Sequence, residues 1–176
     1  MNTTTLILPG FGNSDSGHWQ SRWGSLHPNF VRVSQRDWDY PDRKEWVESL
    51  ENVASQVEGA IILVAHSLGC LLIAHWAAQT NRKIKGALLV APPDSGRAEF
   101  PQQITGFHPF PKAPFNFPSI VVASSDDPYG DLEFSKACAT AWGSRFVNIG
   151  PFGHINTNSG FGAWPEGYEL LQQIDK

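Results

Sequence analysis

The sequence predicts a single α/β domain, residues 1–176, built on a six-stranded parallel sheet with helices on both faces. Short apolar runs alternate with amphipathic segments along the chain, which is typical of parallel strands joined by crossover helices. Residues 61–64, 88–90 and 120–122 are apolar without interruption, as expected of strands that are buried on both faces. With 41% hydrophobic and 17% charged residues, the chain can form one sizeable core.

The apolar runs define the predicted elements in order. Strands are expected at residues 4–8, 30–34, 61–65, 87–91, 119–123 and 145–149. Helices are expected at residues 18–26, from Asp42 to just before Gly59, at 68–80, at 131–142 and at 166–175. Residues 92–118 contain seven prolines and should be irregular. The phenylalanines of this segment predict either a wall over an apolar pocket or a loop pinned to the core.

The most informative stretch is residues 61–69, which predicts a strand, a sharp turn and a helix in succession. The turn reads Ala65-His66-Ser67-Leu68-Gly69, and a serine at such a turn occupies the position of a nucleophile elbow. The helix start supplies free N–H groups and a positive dipole end for an oxyanion. Ala65 replaces the usual glycine but is still small. The alternative interpretation is an ordinary turn in which Ser67 caps the helix.

A nucleophilic serine requires a base, and that base must be held by a third group. In the chain order associated with this elbow, the acid follows the serine and the histidine comes last. His154 lies in the glycine-rich segment 150–156, directly after the last predicted strand, and is the candidate base. His108 is a minor candidate because no strand precedes it.

The candidate acid lies after the fifth predicted strand, where Asp126 and Asp127 are adjacent. Asp127 is preferred, because Pro128 restricts the residue before it to an extended conformation and fixes the turn. Asp126, and Asp94 after the fourth strand, remain alternatives. The competing role for the adjacent pair is turn formation and helix capping.

An oxyanion site needs two converging N–H donors. The residue after the nucleophile, Leu68, should supply one, and Phe11 in the glycine-containing loop after the first strand should supply the other. Gly12 is a weaker candidate for this second donor. The loop does not fit a dinucleotide-binding turn, because Asp15 stands where the third glycine would be needed.

Composition, charge and cysteine content disfavour several other classes of function. The net charge is −4 and no basic run occurs, which disfavours nucleic-acid binding. No apolar stretch is long enough to predict membrane insertion, and the N-terminal segment does not fit a signal peptide. The two cysteines, Cys70 and Cys138, fall in predicted helices and favour a reducing, cytoplasmic setting. The histidines are not at ligand spacing, so neither a metal nor a cofactor is predicted.

The chain resembles, nearly end to end, the small serine hydrolases of the YdeN and retinoblastoma-binding-protein-nine type. The resemblance is carried by residues 8–12, 18–23, 65–69, 125–129, 153–156 and 159–167. It implies a minimal α/β-hydrolase with strand order 2-1-3-4-5-6, no cap domain and carboxylic-ester hydrolase chemistry. In the family, the residue before the proline of the Asp-Asp-Pro run is the acid, which supports Asp127.

The sequence therefore predicts a serine hydrolase that cleaves a small-molecule ester through Ser67, His154 and Asp127 and an acyl-enzyme intermediate. The expected pocket is modest, mostly apolar and suited to short acyl groups. Besides Phe11, the residues expected to line it are Gly12, Trp19, His66, Phe107 and Phe110. Two alternatives remain: a catalytically idle binding or regulatory protein on the same scaffold, and a thioesterase or peptidase with the same three residues.

Overall fold

The computed structural model describes residues 3–175, and it confirms the predicted α/β architecture. Its six strands form one parallel sheet in the order β2-β1-β3-β4-β5-β6. The strands are β1 (Thr3–Leu8), β2 (Phe30–Arg32), β3 (Ala60–His66), β4 (Ile84–Val90), β5 (Ser119–Ala123) and β6 (Arg145–Asn148). Met1, Asn2 and Lys176, which the predicted domain also includes, lie outside the described residues.

Five α-helices cover the two faces of this sheet. They are α1 (Trp19–Leu26), α2 (Arg43–Ser55), α3 (Leu68–Ala77), α4 (Leu132–Trp142) and α5 (Pro165–Asp175), and a 3₁₀ turn spans Thr157–Ser159. Side chains alternate between the faces along each strand. In β3, Leu63 faces the core under α2, α3 and α4, whereas Ile62 and Val64 face the core under α1 and α5.

The ends of several elements differ from the prediction by two to three residues. Strand β2 ends at Arg32, but the Val33 N–H still donates to the carbonyl oxygen of Ile7 at 2.9 Å. Strand β4 begins at Ile84, and helix α3 ends at Ala77. Segment ends carry weak periodicity, so the sequence pattern defines them poorly.

Residues 92–118 are irregular, as predicted, and the segment combines both of its expected roles. Its first part faces the carboxyl ends of the strands, where Phe100 and Ile104 border an open cleft. Its later phenylalanines, Phe107, Phe110 and Phe117, are buried in the core under α2, α3 and α4. Residues 3–175 carry no cap domain beyond this segment. Within the same residues, no helix combines the length and apolar character needed to cross a bilayer.

Candidate active site

Ser67 lies at the turn between β3 and α3, in a backbone conformation that side chains rarely adopt. Its φ is 54° and its ψ is −124°, which lifts the side chain out of the path of both elements. The turn fits only because two glycines, Gly10 and Gly69, pack against it. A Cβ on Gly10 would lie 2.8 Å from the Cβ of Ser67, and one on Gly69 would overlap the carbonyl oxygen of Leu8. Small residues therefore allow β1 and α3 to approach the elbow closely.

The structure brings Ser67, His154 and Asp127 together as a hydrogen-bonded chain. The Nε2 atom of His154 lies 2.8 Å from the Oγ of Ser67. Its Nδ1 atom lies 2.9 Å from each carboxylate oxygen of Asp127. The Asp127 side chain is 1% exposed and that of His154 10% exposed, so the pair is largely shielded from solvent. The contact between Nδ1–H and the carboxylate leaves Nε2 unprotonated and facing the serine hydroxyl.

The two alternative carboxylates do not contact His154. Asp126 instead accepts hydrogen bonds from the N–H of Gly153 at 2.7 Å and the hydroxyl of Ser124 at 2.8 Å. These hydrogen bonds tie the loop after β5 to the loop that carries His154. Asp94 accepts a hydrogen bond from the N–H of Gly96 and pairs with Arg97. His108, the minor candidate base, lies 3.3 Å from the hydroxyl of Ser95.

Two backbone donors are available beside the serine. Within residues 3–175, neither the N–H of Leu68 nor that of Phe11 has a hydrogen-bond partner. Leu68 is the first residue of α3, where helix N–H groups are unpaired. Phe11 directly follows Gly10, which packs against the elbow, and both donors belong to residues that line the same cleft as Ser67. This arrangement can stabilise an oxygen anion that forms on a carbonyl attacked by Ser67.

Two further histidines, His66 and His18, lie on the same side of the site as His154. Their rings pack 4.7 Å apart, and the ring of His66 lies 4.8 Å from that of His154. The Nε2–H of His66 donates to the carbonyl oxygen of His154 at 2.8 Å, which fixes the backbone of that residue. Burial, reinforced by the neighbouring His154 and His18, lowers the pKa of His66 well below its usual value. His66 is therefore neutral and acts as a fixed donor.

The cleft that contains Ser67 has a volume of about 780 Å³. One end is mostly apolar, although Asp94, Arg97 and Glu99 also border it, and its apolar lining comprises Phe11, Leu68, Pro93, Ala98, Phe100, Pro101, Ile104, Pro128 and Tyr129. The other end is polar and is formed by Asn13, Asp15, His18, Asn156, Thr157 and Asn158. The site can therefore accept a molecule that is apolar on one side of its reacting group and polar on the other.

Four residues that the sequence predicts in the pocket do not line this cleft. Trp19 is 1% exposed, and its indole N–H donates to the carbonyl oxygen of Ile155 at 2.8 Å, so it supports the His154 loop from behind. Phe107 packs between Trp46 and His75 in the core. Phe110 packs on Trp142 and Phe134. The N–H of Gly12 donates a hydrogen bond to the carbonyl oxygen of Trp38, and Gly12 is not among the lining residues. Phe11 and His66 do line the cleft.

The polar end of the cleft was missed at the sequence level. His18 and residues 156–158 carry no motif whose chemistry identifies them before folding. One signal was present, because residues 156–158 directly follow the candidate base and must lie near it. Within the described residues, no group of three or more His, Cys, Asp and Glu side chains is placed to hold a metal ion.

This elbow, the hydrogen-bonded chain and the parallel sheet define an α/β-hydrolase. The chain belongs to the serine hydrolase family, whose model matches residues 5–173. Among individual proteins, it is 27% identical to the YdeN protein of Bacillus subtilis (strain 168), a candidate hydrolase. That alignment covers 97% of this chain and 95% of the relative.

Solved structures show the same fold. A YdeN-like candidate hydrolase from Pectobacterium atrosepticum superimposes with a TM-score of 0.87 at 34% identity, over 98% of this chain and 90% of the other. The ydeN gene product of B. subtilis superimposes with a TM-score of 0.79 at 21% identity, over 99% of both chains. Est1E from Butyrivibrio proteoclasticus shares the fold with a TM-score of 0.70 at 17% identity, over 99% of this chain and 90% of Est1E.

Proposed function

We propose that this serine hydrolase cleaves small carboxylic esters, with Ser67 as nucleophile, His154 as general base and acid, and Asp127 as the group that orients His154. The observation that carries the proposal is the hydrogen-bonded chain from the Ser67 hydroxyl through His154 to Asp127, at 2.8 and 2.9 Å. These distances lie within the range needed for direct proton transfer from the serine to the imidazole.

The proposed reaction has two halves. Ser67 Oγ attacks the acyl carbon as His154 Nε2 takes its proton, and the carbonyl oxygen becomes an anion held by the N–H groups of Leu68 and Phe11. The bond to the leaving alcohol then breaks, and His154 gives that proton to the departing oxygen. In the second half, a water molecule loses a proton to His154 and attacks the acyl-enzyme. The acid is released and Ser67 regains its hydrogen.

The apolar end of the cleft supports a substrate with a short acyl group. Phe100, Pro101 and Ile104 border this end, and the segment that carries them is held to the core by the buried Phe107 and Phe110. Apolar contact area at this end favours an alkyl chain over a charged acyl group. The small-molecule acyl substrate and the cytoplasmic location predicted from the cysteines both stay proposals.

The first experiment is covalent labelling with a fluorophosphonate, read by mass spectrometry of the labelled peptide. We expect wild-type protein to be modified at Ser67, the Ser67→Ala variant to be unmodified, and the His154→Ala variant to react much more slowly. The Asp39→Asn variant is a suitable control, because this exposed carboxylate lies outside the cleft. A folded wild-type protein that does not react would contradict the proposal and favour an idle binding protein.

A second experiment distinguishes ester hydrolysis from thioester and amide hydrolysis, which the same three residues could also catalyse. Values of kcat/KM would be measured for oxygen esters, thioesters and amides with one shared butyryl group. An alkyl series from acetyl to palmitoyl esters would follow. We expect the oxygen esters with short acyl groups to be the best substrates. A preference for thioesters or amides, or for chains beyond about a dozen carbons, would contradict this proposal.

A further inference from the structure

The polar end of the cleft is not explained by the attack of Ser67 on an acyl group. Polar groups in a cleft favour specific partners, because each donor or acceptor that stays unpaired weakens binding. Four kinds of group are present there: the imidazole of His18, the carboxylate of Asp15, the hydroxyl of Thr157, and the amides of Asn13, Asn156 and Asn158. Their chemistry identifies the part of the substrate that binds them.

We propose that this end of the cleft binds the leaving alcohol of the ester, that this alcohol is uncharged and carries further hydroxyl groups, as glycerol or a sugar does, and that His18 donates a hydrogen bond to it. The inference rests on the proposed ester hydrolysis. It adds the class of leaving group and a specificity-determining residue, His18, to that function.

The position of the general acid decides which part of the substrate lies at this end. His154 must protonate the departing oxygen, so the alcohol leaves on the imidazole side of the serine. The residues just after His154, 156–158, line the polar end, and the Thr157 hydroxyl donates to Asp15 at 2.9 Å across to the loop before α1. The ring of His66 packs between the rings of His154 and His18. The ring of Tyr129 also lies against that of His154, at 4.6 Å. The assignment of the polar end to the leaving-group side therefore rests on residues 156–158, which directly follow His154, and on the hydrogen bond between Thr157 and Asp15.

His18 supplies an unused donor at this place. Its Nδ1 accepts a hydrogen bond from the N–H of Gln20 at 3.2 Å and caps α1, so the ring proton is on Nε2. Nε2 is itself buried and has no hydrogen-bond partner among residues 3–175, and the residue is only 3% exposed. Burial, with a smaller contribution from Arg32 and His154 and against the effect of Asp15, lowers the pKa of His18 to about 4. The donor is therefore neutral at pH 7.

The charge around the cleft indicates an uncharged alcohol. Among the residues that form the polar end, Asp15 is the one that is charged at pH 7. Arg32 is close enough to lower the pKa of His18, but its guanidinium already donates to the Oδ1 of Asn13 at 2.6 Å and to the hydroxyl of Ser21. A phosphate or carboxylate on the leaving group would thus meet net negative charge. A hydroxyl group can both donate to the Asp15 carboxylate and accept from His18 or an asparagine amide.

The test compares two esters that share the acyl group and the carbon skeleton of the alcohol: 1-monobutyrylglycerol and propyl butyrate. Their ratio of kcat/KM is divided by the ratio of their alkaline hydrolysis rates, which removes the difference in intrinsic reactivity. We expect wild-type protein to prefer the glycerol ester by about tenfold, the effect of one or two net hydrogen bonds. A preference below about twofold would overturn the inference.

Variants locate the preference. His18→Phe keeps the ring volume and His18→Ser keeps a capping oxygen for α1, and both remove the Nε2–H. Each should lower the preference about threefold or more, towards equal use of the two esters. Asn158→Ala, at an exposed position, should also lower it and cannot disturb the core. Ile104→Ala, at the apolar end, is the matched control, because it should reduce the cleavage of both esters equally.

The outcomes separate the two proposals. If the wild-type protein cleaves neither of the two esters and does not react with the fluorophosphonate, the proposal of ester hydrolysis is wrong. If it cleaves both but the His18 and Asn158 variants keep the wild-type preference, hydrolysis stands and the leaving-group site is wrong, with Nε2 then paired only to water. A wild-type preference for a glycerol phosphate ester over both substrates would also overturn the uncharged class.

Discussion

Ser67 combines a reactive position with an unfavourable backbone. Its φ of 54° raises the free energy of the folded state for any residue with a side chain, because the Cβ collides with the following carbonyl group. Glycine has no Cβ and adopts this conformation without that penalty. The local structure must therefore supply this energy from the packing of β1, β3 and α3. The site thus combines a less stable turn with a hydroxyl that faces the cleft.

This cost can be measured directly at position 67. We expect the free energy of unfolding of Ser67→Gly to be about 1–2 kcal/mol larger than that of Ser67→Ala. Both variants lack the hydroxyl, but only glycine removes the backbone strain at this position. Chemical denaturation of the two inactive variants gives the difference. Equal stability would mean that the turn is not strained.

Asp127 and Asp126 provide a matched pair at the same scale. Asp127→Asn should lower kcat by roughly 10⁴-fold, because an amide no longer orients the imidazole with its proton on Nδ1. Asp126→Asn should change kcat by less than about threefold, because the amide oxygen can still accept from the Gly153 N–H. Steady-state ester hydrolysis by both variants tests this difference. A larger effect at Asp126 would reverse the assignment of the acid.

At the scale of elements, the site depends on how closely β1 and α3 approach each other. Gly69 lies in α3 against the carbonyl group of Leu8, the last residue of β1. The loop that follows β1 carries Phe11, so the same contact determines where the second oxyanion donor lies. Small residues here serve both the packing of the core and the geometry of the reaction.

A pair of glycine variants tests this contact. Gly69→Ala should destabilise the fold by about 1–3 kcal/mol and reduce activity, because the added methyl group forces β1 and α3 apart. Gly24→Ala, in α1, is the control: its methyl group would lie 3.3 Å from the flexible end of Ile7, and alanine favours helix. Thermal unfolding should therefore differ little from wild type for Gly24→Ala. A stable, fully active Gly69→Ala variant would contradict this account.

The elements differ in how much of them the sequence could predict. Continuous apolar runs identified the strands, and the chain order of Ser67, Asp127 and His154 predicted three residues that the fold brings into contact. The burial of Trp19, Phe107 and Phe110 could not be predicted the same way, because an aromatic side chain beside a site is equally suited to a pocket or a core. His18 was missed because its role depends on two distant loops.

At the scale of the whole molecule, buried neutral histidines make stability depend on pH. The pKa of His18 is about 4 in the folded protein against 6.5 for an ordinary histidine, mainly through burial, and that of His66 is also lowered. Between pH 6.5 and 4, the unfolded chain binds more protons than the folded one. Stability is therefore highest above this window and falls as the pH is lowered through it.

We expect His18 alone to account for a loss on the order of 3 kcal/mol between pH 6.5 and 4. Denaturant unfolding of wild-type protein and His18→Phe at both pH values measures this difference. The variant should lose less stability over the window, although it starts lower because the helix cap is gone. Identical losses in the two proteins would mean that His18 is protonated in the folded state.

We expect the indole groups next to the His154 loop to report turnover through their fluorescence. Of seven tryptophans, Trp19, Trp23 and Trp164 form one cluster, with Trp19 hydrogen-bonded to the carbonyl group next to His154. Any movement of that loop during acylation alters the surroundings of the Trp19 indole. Stopped-flow fluorescence should therefore follow formation and decay of the acyl-enzyme without a dye, and Trp19→Phe should abolish the signal.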